Sequence, residues 1–268
     1  MKIRIPSLLL SLLFVSAVLF SPAHAQTLTA ADIIAKHFEA VGGRPALAKI
    51  KSRIAIGTVQ KDKEPAAKMA IVSEMPNRVS AIYVLEKYDF QMSYDGKASI
   101  VRPMAPRMFG PFISRYEQML ASGLMFNSIS LYNLLASGEG GKMEAKGMKK
   151  VRDRQAYVVE MKAGNGLSAK LFFDAENFMW IRTEYGRVTI QKPMGQFTNE
   201  TVNRGQDDIT ADFYFETSDF RDVNGVKLPF KFEQALTAPY IQQKTVGVIT
   251  GIIAEYQQNV PIDPKMFQ

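Results

Sequence analysis

Residues 209–234 read ITADFYFETSDFRDVNGVKLPFKFEQ, and this stretch decides the fold class. Before its midpoint, Phe213 and Phe215 alternate with Asp212, Tyr214 and Glu216. After it, Leu228, Phe230 and Phe232 alternate with Lys231 and Glu233. Period-two alternation gives an extended segment one dry face and one wet face. Asn224-Gly225 between the two runs supplies residues that tolerate positive φ, which a tight hairpin turn demands. The stretch is therefore an antiparallel hairpin with an aromatic face.

The same punctuation recurs outward from this hairpin, at Asp95-Gly96, Asn165-Gly166 and Arg204-Gly205. Val79, Ala81, Tyr83 and Leu85 alternate with Ser80 and Glu86, while Ile82 and Val84 make that strand apolar on both faces. The pattern predicts about a dozen strands. They fall at 53–59, 68–74, 78–86, 90–94, 98–102, 142–148, 155–161, 169–174, 179–183, 188–191, 209–217, 226–234 and 245–256. Two charged clusters, Lys61-Asp62-Lys63-Glu64 and Lys146 to Arg154, read as turns between strands. Consecutive antiparallel strands in this number give a mainly β (α+β) chain, with one large curved sheet or an open barrel whose accumulated twist curls it. Its concave apolar face needs a cover.

Helical signals are few. Thr29 and Asp32 form a capping-box start, Ile33, Ile34, Phe38 and Val41 share one helical face, and Gly42-Gly43 ends the helix. A second short turn is predicted at 45–50, with Pro45 at an early position where its missing N–H costs nothing. The long interruption at 103–137 supplies the candidate cover, with helices predicted at 113–122 and 128–136 and a break near Gly123. It contains Met104, Met108, Phe109, Phe112, Met119, Leu120, Leu124, Met125, Phe126, Ile129, Leu131, Leu134 and Leu135. Unbranched, polarizable methionine suits a surface that must fit more than one shape. Two functions are open for this segment: a core layer that plugs the sheet, or a lid over a ligand.

The first 25 residues set the compartment. Lys2 and Arg4 precede an uncharged apolar run from Leu8 to Phe20, and Ala23-His24-Ala25 offers a small-x-small cleavage site. A run of 13 residues is short of the roughly 20 that span hydrocarbon as a helix. The expectation is a cleaved signal peptide at 1–25 and a single domain at 26–268, with 103–137 as a helical lid insertion. Removing the leader's two basic side chains lowers the net charge from +7 to +5. The chain has no cysteine, which excludes disulfides, thiolate metal sites, a thiol nucleophile and a lipid-modified cysteine anchor. Basic residues are scattered and do not cluster on one face, which argues against nucleic acid.

Catalytic patterns are absent from the sequence, and no enzyme activity, metal or cofactor is expected. After the leader, His37 is the one histidine, so no histidine pair can hold a metal. It is expected to be a structural or solvent-exposed helix residue. No serine sits in a GxSxG elbow. Asp207-Asp208 reads as solvated acids in a polar loop. The stretch Gly138-Glu139-Gly140-Gly141-Lys142 lacks the spacing and the hydroxyl residue of a phosphate loop and reads as a connector.

Several hairpins carry a resemblance. Tyr94-Asp95-Gly96-Lys97, Leu171-Phe172-Phe173-Asp174 followed by Met179-Trp180-Ile181-Arg182, and Asp219 through Pro229 resemble hairpins of the LolA-like outer-membrane lipoprotein-sorting and carrier proteins. The opening at Ala40-Val41-Gly42-Gly43 and the ending Asn259-Val260-Pro261-Ile262-Asp263 are similar too. The resemblance implies an unclosed antiparallel β-barrel whose N-terminal and central helices cover a hydrophobic cavity on its concave face. It implies a periplasmic carrier of lipid or lipoprotein acyl chains, exchanging them with an envelope membrane protein; a monomer is expected. The alternative function is a periplasmic sensor or scaffolding module that binds a partner protein through the same fold. The candidate cavity residues are Met104, Met108, Phe109, Phe112, Met119, Leu120, Met125 and Phe126 from the lid, with Phe173, Met179, Ile181, Phe213, Phe215, Phe230 and Phe232 from the sheet.

Overall fold

The computed structural model describes residues 28–61, 63, 65–84, 89–97, 99–102, 128–138, 140–162, 168–190, 209–238 and 244–268. Helix α1 (Ala30–Ala40) and the short α2 (Arg44–Ala48) lead into β1 (Ser52–Lys61), β2 (Ala67–Glu74), β3 (Arg78–Val84), β4 (Asp89–Tyr94) and β5 (Ser99–Arg102). Helix α3 (Ser128–Ala136) follows. Then come β6 (Lys142–Val151), β7 (Arg154–Lys162), β8 (Ser168–Asp174), β9 (Trp180–Ile190), β10 (Ile209–Val223), β11 (Val226–Ala238) and β12 (Lys244–Gln258), with a closing 3-10 turn at Pro264–Phe267. The strands form one antiparallel sheet in the order β5-β4-β3-β2-β1-β12-β11-β10-β9-β8-β7-β6. The β1–β12 pair joins the first five strands to the last seven. Strands β5 and β6 stand at opposite edges and do not pair, so the barrel is not closed.

The hairpin at 209–234 forms as its alternation requires, with Phe215 opposite Gln234 and Thr217 opposite Phe232. Asn224 and Gly225 have φ of 53° and 81° at the turn. Two expectations need correction. The strands predicted at 179–183 and 188–191 are one strand, β9, described over Trp180–Ile190. Gly186 takes φ 74° there, and Tyr185 and Gly186 stand where β10 has only Phe213, between the pairs Glu184–Tyr214 and Arg187–Asp212. That is a bulge, which a glycine signals as readily as a turn. The basic cluster from Lys146 is not a turn either: β6 runs through Lys149 and Lys150 to Val151, and the turn is confined to Arg152-Asp153. The predicted third strand is described over Arg78–Val84, and its last two residues, 85–86, lie outside the described residues. The leader 1–25, the predicted helix 113–122, the Asn165-Gly166 and Arg204-Gly205 turns and Asp207-Asp208 lie outside the described residues.

Helix α1 starts as its sequence dictates. The Asp32 N–H donates to Thr29 Oγ1 at 3.2 Å, and the Thr29 N–H donates to Asp32 Oδ2 at 3.0 Å. Thr29→Ala is expected to cost about 1 kcal/mol, read as a lowered denaturation midpoint with unchanged slope. The end of α1 is pinned to the β10–β11 turn, where the Lys227 N–H donates to the Val41 carbonyl at 2.9 Å. Gly42 has φ 124°, and a Cβ there would fall 2.1 Å from the Gly225 oxygen, so no other residue fits the junction.

One face of the sheet carries the helices and the other carries the C-terminal segment. Ser52 Oγ donates to the Val260 carbonyl, and Gln91 Nε2 donates both to the Met266 carbonyl at 2.8 Å and to Ser80 Oγ at 3.0 Å. Phe267 is fully buried there, with the Arg78 guanidinium over its ring.

Candidate functional site: the helix-covered apolar face

Register places mostly apolar residues in continuous cross-strand rows on the helix side. One row runs Met92, Ala81, Ile71, Ala55 and Tyr256 across β4, β3, β2, β1 and β12. Another runs Val159, Leu171, Thr183, Phe215, Gln234 and Ile249 across β7 to β12. Each row member is two residues from the next inward side chain on its strand, so an in-register mismatch of one residue would turn the whole row outward. Phe215 and Phe232 stack with ring centroids 5.2 Å apart and planes 20° from parallel.

His37 holds the helical layer to one end of this face. It is fully buried, with Nδ1 2.8 Å from the Phe178 carbonyl and Nε2 2.9 Å from Ser128 Oγ. A carbonyl only accepts, so Nδ1 carries the proton and Nε2 accepts from the serine hydroxyl. The ring lies 5.0 Å from Phe173 and edge-on to Trp180 at 6.4 Å. Burial pushes the imidazole down to about 4, against the opposing effect of the Phe178 bond. His37 thus ties α1 to the β8–β9 turn and to the first residue of α3. It is a structural histidine. Phe178 accepts its bond from a left-handed conformation, φ 57°, in a turn whose Asp174 Oδ1 accepts from the Glu176 and Asn177 N–H groups.

Among the described residues, this layer opens at several places. Beneath α3, a cleft of about 230 Å³ is lined by Ile50, Val79, Ile129, Leu134, Ser73 and Asn133, among others. At the far end, a recess of about 530 Å³ lies between Ala40, Met179, Phe220 and Lys227. In the middle of the face, a cavity of about 20 Å³ lies among Arg53, Ile71, Phe215, Phe232, Ile253 and Tyr256. Arg53 is 2% exposed, and its Nε and Nη1 have no hydrogen-bond partner. Its guanidinium carbon stands 5.5 Å from the centre of the Tyr256 ring. Burial pushes the guanidinium pKa below its ordinary value, with Tyr256 opposing.

The sheet residues expected to line a cavity divide. Phe215 and Phe232 do so, side by side. Phe230 is buried beside Tyr256 in an edge-to-face contact, with the Arg221 guanidinium over it. Met179 lines the far recess, Ile181 is buried, and Phe173 is fully buried against His37 as core. Met104, Met108, Phe109, Phe112, Met119, Leu120, Met125 and Phe126 lie outside the described residues, as does the side chain of Phe213. Arg53, Ile71, Ile253 and Tyr256 are site residues that the aromatic pattern did not mark. The signal for Arg53 was present: it shares strand parity with Ala55, Gly57 and Val59, an arginine on an apolar face.

The opposite face bears an ion-pair network. Glu216 receives Arg182 Nη1 at 2.8 Å and Arg152 Nε at 2.8 Å, and Arg152 Nη2 reaches Glu233 at 2.7 Å. Every charge in it has a partner. Among the described residues, no three His, Cys, Asp or Glu side chains group as a metal site. No described helix is long and apolar enough to cross a membrane.

The sheet is antiparallel and unclosed with helices on one face, as the hairpin resemblance implied. No family model matches the chain, and no curated protein matches it. Several solved structures are similar in fold at low identity. A putative outer-membrane lipoprotein-sorting protein domain from Vibrio parahaemolyticus is 10% identical, with a TM-score of 0.48, over 88% of this chain and 94% of that one. A LolA superfamily protein from Nitrosomonas europaea is 10% identical, TM-score 0.47, over 90% and 98%. A DUF1329 family protein from Desulfovibrio piger is 7% identical, TM-score 0.45, over 88% and 95%.

Proposed function

We propose that the protein is a periplasmic carrier that holds the alkyl part of a lipid or lipoprotein between the apolar sheet face and its helical cover. The observation that carries this reading is the middle of that face. Phe215, Phe232, Ile71 and Ile253 surround a cavity on the helix side of a sheet whose opposite edges do not close. The export-type leader supports the compartment, and the methionine-rich segment at 103–127 runs directly into α3, which lies over the same face. Each methylene withdrawn from water contributes about 0.8 kcal/mol, so a chain of about 14 carbons brings on the order of 11 kcal/mol to the complex. The cleft beneath α3 and the central cavity are each smaller than such a chain, and loading therefore lifts α3 from the sheet. That motion opens the cleft beneath Ile129 and Leu134 toward the central cavity.

A neutral reporter dye, N-phenylnaphthylamine, tests the reading. It is expected to brighten on binding and to be displaced by long-chain lipids. Phe232→Asp, which places a charge on the apolar face, is expected to abolish both signals while circular dichroism retains the β signature. Ile252→Asp, on the exposed opposite face, is expected to leave both intact. Equal lipid binding by the two variants would contradict the site.

A further inference from the structure

Arg53 is a buried charge on the apolar face that a container for hydrocarbon alone does not need. It stands on β1 between Ser73 of β2 and Gln258 of β12, both neutral, and its side chain lies with Ala55 on the helix side. Among the described residues, no carboxylate lines the cavity beside it. Glu74, next to Ser73, is engaged by Arg78 at 2.6 Å. Tyr256 offers its ring face, but its hydroxyl donates to the Pro229 carbonyl, and burial raises its pKa, so it remains a neutral phenol. An arginine does not shed its charge as a lysine does, so a buried one with two idle donor nitrogens is a cation awaiting an anion.

We propose that Arg53 is the counter-ion for the carboxylate of a long-chain fatty acid, whose alkyl tail lies along Phe215, Phe232 and Ile253. This deepens the carrier reading and rests on it. The small space at the guanidinium, about 20 Å³, admits a group slightly larger than one water and favours a carboxylate over a bulkier phosphate headgroup. A planar carboxylate also accepts from two guanidinium N–H groups at once, which fixes the head while the tail is held without direction. The site then selects charged single-chain lipids over neutral ones, because binding a neutral head would leave the guanidinium buried and unpaired.

The test compares tetradecanoate, its methyl ester and tetradecyl phosphate by dye displacement on the delipidated full chain, near neutral pH. Wild type is expected to bind tetradecanoate about 10-fold or more tighter than the ester. Arg53→Met is expected to bind the ester as well as wild type does, to lose the preference for the acid, and to melt at the same or a higher temperature, since it removes an unpaired buried charge. Arg53→Lys is expected to keep part of the preference. Equal binding of acid and ester by wild type would overturn the assignment of Arg53, leaving the carrier reading in place with a water as the cavity's occupant. Tighter binding of the phosphate would overturn the choice of carboxylate. Binding of none of the three would remove the carrier reading itself.

Discussion

Between pH 7 and pH 4 the protein is expected to lose about 3 kcal/mol of stability through His37 alone. In the unfolded chain the imidazole takes up a proton near its ordinary value of 6.5; in the fold, burial lowers this to about 4. A base with a depressed folded pKa binds more protons when unfolded, so stability is full above about 6.5, falls as pH drops through that value, and levels off below about 4. Among the described residues no carboxylate faces the ring to pair with its protonated form: the ring faces Phe173, Trp180 and Phe38, and both its nitrogens are engaged by Phe178 and Ser128. Urea denaturation at several pH values checks this, with His37→Gln as the reference. The variant is less stable at pH 7, but its stability should fall less steeply toward pH 4 than that of wild type. Parallel curves would show that His37 titrates normally and is not sealed beneath the helices.

Gly57→Ala is expected to destabilise the protein by about 3 kcal/mol, by opening the seam between β1 and β12. An added Cβ would fall 2.0 Å from the Ile252 oxygen and 2.9 Å from the Ile253 Cα, where the register shifts between Ile56 and Gly57. The clash is with backbone, which cannot rotate away, and relief requires the two strands to part. This pair joins the first five strands to the last seven, so the damage is not local. Denaturant unfolding of Gly57→Ala beside Thr58→Ala separates the effect from simple truncation of the neighbour. Thr58 is exposed, and its variant is expected to stay within about 0.5 kcal/mol of wild type.

The architecture was legible because strand and turn signals are local. Phe215 and Phe232 announce their face by parity, and Asn224-Gly225 announces the turn that pairs them. The capping box at Thr29 and Asp32 and the helix at 128–136 were legible for the same reason. Gly186 was not, since a glycine among polar residues reads alike as a turn or a bulge, and only the pairing partner decides. The pairing of β1 with β12 joins residues about 200 positions apart and leaves no mark in either strand. His37 looked unremarkable between Lys36 and Phe38, because its burial depends on α3 and the β8–β9 turn arriving from elsewhere. Arg53 was the reverse case: its parity was plain in the sequence, but its lack of a partner emerges only once β2, β11 and β12 surround it.

The most direct measurement of the central claim is native mass spectrometry of the protein purified from its own envelope. The carrier account predicts a non-covalent adduct of defined lipid mass, which disappears on solvent extraction and reforms when a long-chain fatty acid is added. A protein that carries no adduct and takes up neither the acid nor its ester after extraction would contradict it.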